Sequence, residues 1–221
     1  MADKGRKNFS DKLSDAMTPD SQKSTWDKTT EQAGDKFDQA KGKMQPEEDK
    51  GIFQKMGDAL SAQIRSNLLK SIDVAHEVKL TGHHPFGSIL VGPDNETVLL
   101  KQGNINTLNH AESTLCRLAY DKYPPEFLWK CTLYTNFEPC CMCAGSIYWA
   151  NIGRVVYGLS EEALLDLSGD DKENMTLSLP CRKVFNSGQK DVDVVGPFAD
   201  IENDVELKDA ILRDHRDFWN H

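Results

Sequence analysis

The run Pro139-Cys140-Cys141-Met142-Cys143 restricts this chain more than any other feature. With six cysteines in 221 residues, a Cys-x-x-Cys pair arises by chance about 0.16 times, and with a preceding proline roughly 0.01 times. An i,i+3 spacing sets Cys140 and Cys143 on one face of a helical turn. Pro139 suits a helix start, because its missing N–H would lack an acceptor there anyway. A helix N-terminus also favours thiolate over thiol, and thiolate is the form that binds metal. Cys141 points elsewhere on this geometry. Two thiolates need at least a third ligand, and a catalytic zinc site keeps a fourth position for water. His110, in His110-Ala111-Glu112 at the start of a predicted helix, is the candidate. The fold must then bring the starts of two separate helices together.

Composition divides the chain. Residues 1–50 hold eleven of the AVILMFWYC set, with no Val, Ile, Cys or His, and 21 charged residues. Such a segment cannot bury enough apolar surface to offset its ordering entropy, so it is expected to be disordered or conditionally helical. Its large apolar residues nevertheless fall on helical stripes: Phe9, Leu13 and Met17, then Trp26, Ala33, Phe37, Ala40 and Met44. Lys28, Lys36, Lys41 and Lys43 lie on or beside the polar face. A helix of this kind suits a membrane surface, while the alternative is a solvated extension with chance periodicity.

The acidity belongs to the rest of the chain. Of the formal −9, residues 1–63 carry a net −1 and residues 64–221 a net −8. Nucleic acid is therefore not an expected partner. No run of 18 apolar residues exists, MADKGRKNFS lacks an apolar signal core, and Ala2 excludes N-myristoylation. All six cysteines lie between 116 and 181, which in this setting suggests metal or thiol chemistry before disulfides.

The domain organisation is read as a tail over 1–60 and one domain over 61–221. Leu60, Ile64, Leu68, Ile72, Ala75 and Val78 predict a helix that Gly82 ends. PFGSILVG and TVLLKQG read as paired strands around a PDNE turn. Then follow helix HAESTLCRLAY, strand CTLYTNF, helix CCMCAGSIYWANI and strand RVVYGL. A helix at 161–167, a polar loop at 168–176, a helical turn at CRKVFN, strand VDVVGP and a helix from 203 to 218 complete the order. Alternating strands and helices predict an α/β fold, one sheet with helices on both faces in three layers.

The order His110-x-Glu112…Pro139-Cys140-x-x-Cys143 is the signature of zinc deaminases. A structural zinc site is the competing reading, with His83, His84, Cys131 or Cys181 offered as a fourth ligand, but none has zinc-finger spacing. HPFGSILV, NHAESTLCRLA, LYTNFEPCCMCAGSIYWANIGRVVYGLS and LPCRKVFNSG make the chain from about 62 to 221 resemble the cytidine/deoxycytidylate deaminase superfamily, and within it the guanine and nucleoside deaminase branch. GRKNFSDKLSDAMTPDSQKS and AKGKMQPEEDKGIFQKMGDAL make residues 1–60 resemble small fungal membrane-associated heat-shock proteins. That second resemblance implies a lipid-responsive tail.

The first resemblance implies one Zn2+ held by His110, Cys140 and Cys143, with Glu112 as proton shuttle. It implies that the Ala111 N–H holds the carbonyl of the base and that a carbonyl near Glu138 holds its amino group. Asn104 is preferred over Asn106 as the substrate-contacting amide. Phe86 and Trp149 are the rings that would sandwich the base, with core packing as their alternative role. His215 or Trp219 is expected near a pocket, as a C-terminal lid. Cys116, Cys131 and Cys181 are expected to be buried thiols.

The function expected is hydrolytic deamination of a free nucleobase or nucleoside, guanine or guanosine-like first, by a homodimer. Cytosine or cytidine is the second reading and editing of a tRNA adenosine the third. A reading of another class is a stress-protective membrane-binding protein with an inert deaminase domain. The expected location is the cytoplasm, with the inner face of the plasma membrane open through the tail and the nucleus also open.

Overall fold

The computed structural model describes residues 47–169, 171, 174–216, 218 and 219, with side chains from residue 57 onward. The apolar stripes of Phe9 to Met44 lie outside the described residues. The chain divides into two units, one ending at Ser61 and one beginning at Ala62.

The elements in chain order are α1 (Glu47–Lys79), β1 (Gly87–Val91), β2 (Val98–Gly103), α2 (Ala111–Lys122), α3 (Pro125–Leu128), β3 (Thr132–Phe137) and α4 (Cys141–Trp149). After them come β4 (Arg154–Leu159), α5 (Glu161–Ser168), α6 (Cys181–Asn186), β5 (Asp193–Val195), α7 (Phe198–Ile201) and α8 (Val205–Arg216). The first helix begins thirteen residues before Leu60. The stretch Pro46-Glu47-Glu48-Asp49 is a helix-start signal to which apolar periodicity is blind. The short α3 and α7 escape periodicity for the same reason, being single turns.

The sheet order is β2-β1-β3-β4-β5. The first three strands pair antiparallel, and β3, β4 and β5 run parallel. Both β1 and β3 are buried along their whole length, as strands covered on two faces must be. Alternate side chains feed two cores. Leu90, Leu133, Val155 and Tyr157 pack with residues of α2, α4 and α6. Ile89, Val91, Tyr134 and Val156 pack with Leu68 and Ile72 of α1 and Leu207 and Ile211 of α8. The architecture is thus three-layer α/β/α, as the alternation of elements predicted.

Register places the functional end. Gly87 pairs with Gly103, Ser88 with Thr135, and Phe137 with Leu159. The start of β1 and the ends of β2, β3 and β4 therefore share one edge of the sheet. Helices α2 and α4 begin just beyond that edge, where open α/β sheets usually carry their ligands.

Candidate metal centre

His110 is the N-cap of α2 and Cys140 the N-cap of α4, both with extended backbone. Neither side chain caps its own helix. Each carbonyl accepts the first helical bond instead, from Thr114 N at 3.0 Å and Ala144 N at 2.8 Å. Both side chains are left pointing outward from converging helix starts. Cys143 adds a third group from the first turn of α4.

The ligand atoms of His110, Cys140 and Cys143 all lie within 4.8 Å of one another. His110 Nδ1 stands 3.7 Å from Cys140 Sγ and 3.6 Å from Cys143 Sγ. A tetrahedral zinc with ordinary Zn–N and Zn–S bonds requires an N···S edge of about 3.6 Å. The donor set and its two N···S distances fit zinc. A hydrogen bond to the Thr107 backbone orients the imidazole from its other side. The Cys143 thiol donates to Glu112 Oε2 at 3.4 Å. Hydrogen bonding to Cys143 and His110 lowers the Cys140 thiol well below its usual range. Burial and the neighbouring negative groups raise Cys143. The pair thus retains a proton that a metal would displace.

Glu112 sits two residues into the same turn and is 5% exposed. Its Oε2 lies 3.4 Å from Cys143 Sγ. Its Oε1 accepts the Thr135 hydroxyl at 2.8 Å. Burial is the main cause that raises its carboxyl above the ordinary range. A carboxylate so placed can take and return a proton beside the ligand triangle.

The other expected site residues are distributed unequally. Ala111 is fully buried at the first position of α2, where a helical N–H has no intrahelical acceptor. Asn104 is 3% exposed at the end of β2, and its amide makes one 3.4 Å contact to the Asn106 carbonyl. The Asn106 side chain is occupied in an exposed turn, accepting Leu108 N and Asn109 N. Phe86 lies at the shared edge, with its carbonyl accepting Asn104 N at 2.9 Å. Trp149 stands apart from this group. It is 74% exposed and lies edge-on to Tyr148. Within one chain it does not face Phe86 across a base site, because it ends α4 one whole helix away from Cys140. His215 is fully buried and Trp219 nearly so. Both pack against Phe86 from the α8 side.

Three residues escaped the sequence reading: Thr135, Asn136 and Glu161. Thr135, which holds Glu112, and Asn136 are polar positions ending a buried strand, and that misfit is their signal. The Glu138 carboxylate accepts Cys181 N at 2.8 Å and Glu161 N at 3.3 Å. Glu161 is 7% exposed, and burial above all pushes its carboxyl up to about 8. No sequence pattern marks Glu161, and Glu138, expected only for a carbonyl nearby, has this second use through its carboxylate. Cys116, Cys131 and Cys181 are buried and free. Burial raises the pKa of all three thiols.

Two helix starts carrying an imidazole, two sulfurs and a neighbouring carboxylate define a zinc-dependent deaminase centre, and comparison with known proteins agrees. Residues 62–159 match the family described as the cytidine and deoxycytidylate deaminase zinc-binding region. A probable cytosine deaminase of Schizosaccharomyces pombe is 33% identical over 165 residues, covering 73% of this chain and 95% of the relative. The chain belongs to this family of zinc hydrolases, which act on carbon–nitrogen bonds in cyclic amidines. Residues 1–59 match the Heat shock protein 9/12 family. A guanine deaminase of Bacillus subtilis is 37% identical over 91 residues, which span 39% of this chain and 58% of that protein. The structure of a guanine deaminase from Nitrosomonas europaea superposes with a TM-score of 0.51 at 15% identity, over 70% of this chain and 83% of that one. At that identity the likeness is one of fold.

Proposed function

We propose that this protein deaminates a free purine base or nucleoside, guanine or a guanosine-like compound, by hydrolysis to the oxo form and ammonia. The observation that carries the chemistry is the buried Glu112 carboxylate fixed by Thr135 beside the His110, Cys140 and Cys143 group. These three side chains would hold the zinc. When bound, zinc lowers the pKa of a coordinated water toward neutrality and so supplies the nucleophile.

The chain's own groups do the rest. Glu112 takes the proton of the water and passes it to a ring nitrogen of the base. It then helps deliver a proton to the amine, which leaves as ammonia. The Ala111 N–H meets the carbonyl of the base, and the Asn104 amide offers a donor and an acceptor to its edge. A carbonyl near Glu138 accepts from the amino group. Phe86 stacks on one face of the ring.

The B. subtilis relative supports guanine. The S. pombe relative, matched over nearly its whole length, supports cytosine as a second reading. Ammonia release from guanine, guanosine, cytosine, cytidine and adenosine separates them. Turnover of guanine or guanosine is expected, and turnover of cytosine alone moves the assignment to the second reading. Glu112→Ala should abolish activity with zinc retained. Release of ammonia from none of the five compounds by zinc-loaded protein overturns the proposal.

A homodimer is part of this reading. Trp149, Tyr120 and Leu118 leave large apolar surface exposed on α2 and α4, of a kind that commonly marks a protein interface. Peripheral lipid contact through residues 1–60 is also part of this reading, supported by the apolar stripes of Phe9 to Met44 in the sequence. Flotation of the full chain with anionic vesicles tests it, and recovery only in the unbound fraction refutes it. No helix among the described residues is long and apolar enough to cross a membrane.

A further inference from the structure

We propose that Asn136, His215 and Trp219 form a positioning relay that fixes Phe86, so that the C-terminal segment sets affinity for the base without touching it. The inference rests on Phe86 stacking the substrate, as proposed above.

The Asn136 amide brackets the Phe86 backbone on both sides. Its Oδ1 accepts Gly87 N at 3.1 Å, and its Nδ2 donates to the Pro85 carbonyl at 2.9 Å. The Phe86 carbonyl is tied in turn to Asn104 N. His215 supplies the second half. The Trp219 indole N–H donates to His215 Nδ1 at 3.1 Å, so Nδ1 carries no proton. The ring's single proton is then on Nε2, and the His215 ring donates to the Pro85 carbonyl. Asn136 Nδ2 lies 3.4 Å from Nε2. Two donors face each other there, so that approach is a shared partnership on Pro85 and not a bond between the two residues. Both lone pairs of the Pro85 carbonyl are engaged, one by Asn136 and one by His215.

The rings repeat the pattern. Phe86 stands 5.1 Å from His215 and 6.2 Å from Trp219, and Phe137 lies 4.7 Å from His215, centroid to centroid. Loss of the indole N–H frees the imidazole to turn, which releases one side of the Pro85–Phe86 peptide. The zinc group hangs from α2 and α4 on the other face of the sheet, so metal binding and proton transfer are left in place. The effect belongs in KM.

The test uses the full zinc-loaded chain and whichever base the wild type turns over. Trp219→Phe keeps the ring and removes only the donor, and Asn136→Ala removes the bracket. Each is expected to raise KM roughly three- to tenfold with kcat within about twofold, the pattern of lost uniform binding. Phe86→Leu should raise KM at least as much, because base–aromatic stacking is worth roughly five- to a hundredfold. The double variant Phe86→Leu/Trp219→Phe should be no worse than Phe86→Leu alone, since Trp219 acts through Phe86. Unchanged KM in a folded Trp219→Phe, or additive effects in the double variant, overturns the relay while leaving the deaminase reading intact. A wild type inactive on every compound overturns that reading first, and the relay with it.

Discussion

Replacing Glu138 with Gln tests how the metal-bearing turn is held. The side chain is 7% exposed, and both oxygens accept backbone N–H groups, from Cys181 at 2.8 Å and Glu161 at 3.3 Å. Those N–H groups open α6 and α5, where no intrahelical acceptor exists. One carboxylate therefore joins three segments: the turn that carries Cys140, the helix after β4 and the helix after the 169–180 loop. Gln keeps the shape but accepts at only one atom. Its oxygen should face Cys181, the shorter contact, which turns its NH2 toward the Glu161 N–H. The first bond loses its charge assistance and the second becomes a donor facing a donor. An unpaired buried donor costs about 1–3 kcal/mol and the lost charge assistance about 1 kcal/mol. Relief of the repulsion that raises Glu161 offsets part of this. A net loss of about 2 kcal/mol lowers the Tm of a domain this size by roughly 4–8 °C. Zinc content should stay at one per chain, because the ligand set is untouched. Calorimetry with metal analysis decides the matter. A Tm within about 1 °C of wild type would refute the clamp.

Three further outcomes follow from buried groups. Burial, then the negative charges of Cys140, Glu112 and Glu138, push Glu161 up to about 8 from 4.5. Between those values the folded state binds more protons than the unfolded chain, so stability falls as pH rises. Zinc cancels the share due to Cys140, so Glu161→Gln should exceed wild-type stability by about 1–2 kcal/mol near about pH 8.5 and differ little near about pH 5. Equal urea midpoints for variant and wild type at the higher pH would contradict this. Burial pulls His215 down to about 3 from 6.5, so here the unfolded chain binds the proton first and wild-type stability declines as pH falls from 6.5. His215→Phe lacks that slope, so its stability deficit should shrink between about pH 7 and about pH 4, and a constant deficit in urea unfolding would count against it. At Gly87, a Cβ would overlap the Ser71 carbonyl of α1. Gly87→Ala should lose more than about 2 kcal/mol by denaturant unfolding, and a loss under about 0.5 kcal/mol would show that helix and strand can part.

The sequence was most readable where one residue type has one common use. Cys140 and Cys143 at i,i+3 after Pro139 can share a face only at a helix start, and α4 starts there. The apolar run of GSILV and the β-branched and aromatic residues of TLYTNF likewise marked strands, since a buried strand in a covered sheet tolerates few other residues. Legibility ended where partners come from far along the chain. Nothing local pairs Glu138 with Cys181, 43 residues on, or Asn136 with Pro85, 51 residues back. Trp149 misled for a related reason. An aromatic near a metal-bearing helix suggests a base sandwich, but nine residues of α4 carry it to the far end of the helix. Helix length, and not residue type, decides which end of the sheet a side chain reaches.

The two glutamates that flank the centre show how placement divides one chemistry into two uses. Glu112 has one side-chain hydroxyl donor, from Thr135, and burial raises its affinity for a proton. Its second oxygen accepts the Cys143 thiol at 3.4 Å beside the ligand triangle, an acceptor that metal binding would free by taking the thiol proton. Glu138, adjoining the same metal loop, spends both oxygens on backbone N–H groups of two other helices. Were the anchors exchanged, a Glu112 saturated by backbone donors would hold a proton weakly, and a Glu138 with one bond would leave α5 or α6 untied. The division therefore comes from which strand end and which helix starts surround each carboxylate. A deaminase centre on this fold needs both: a carboxylate left free enough to shuttle a proton, and another bound tightly enough to hold the turn that carries Cys140 in place.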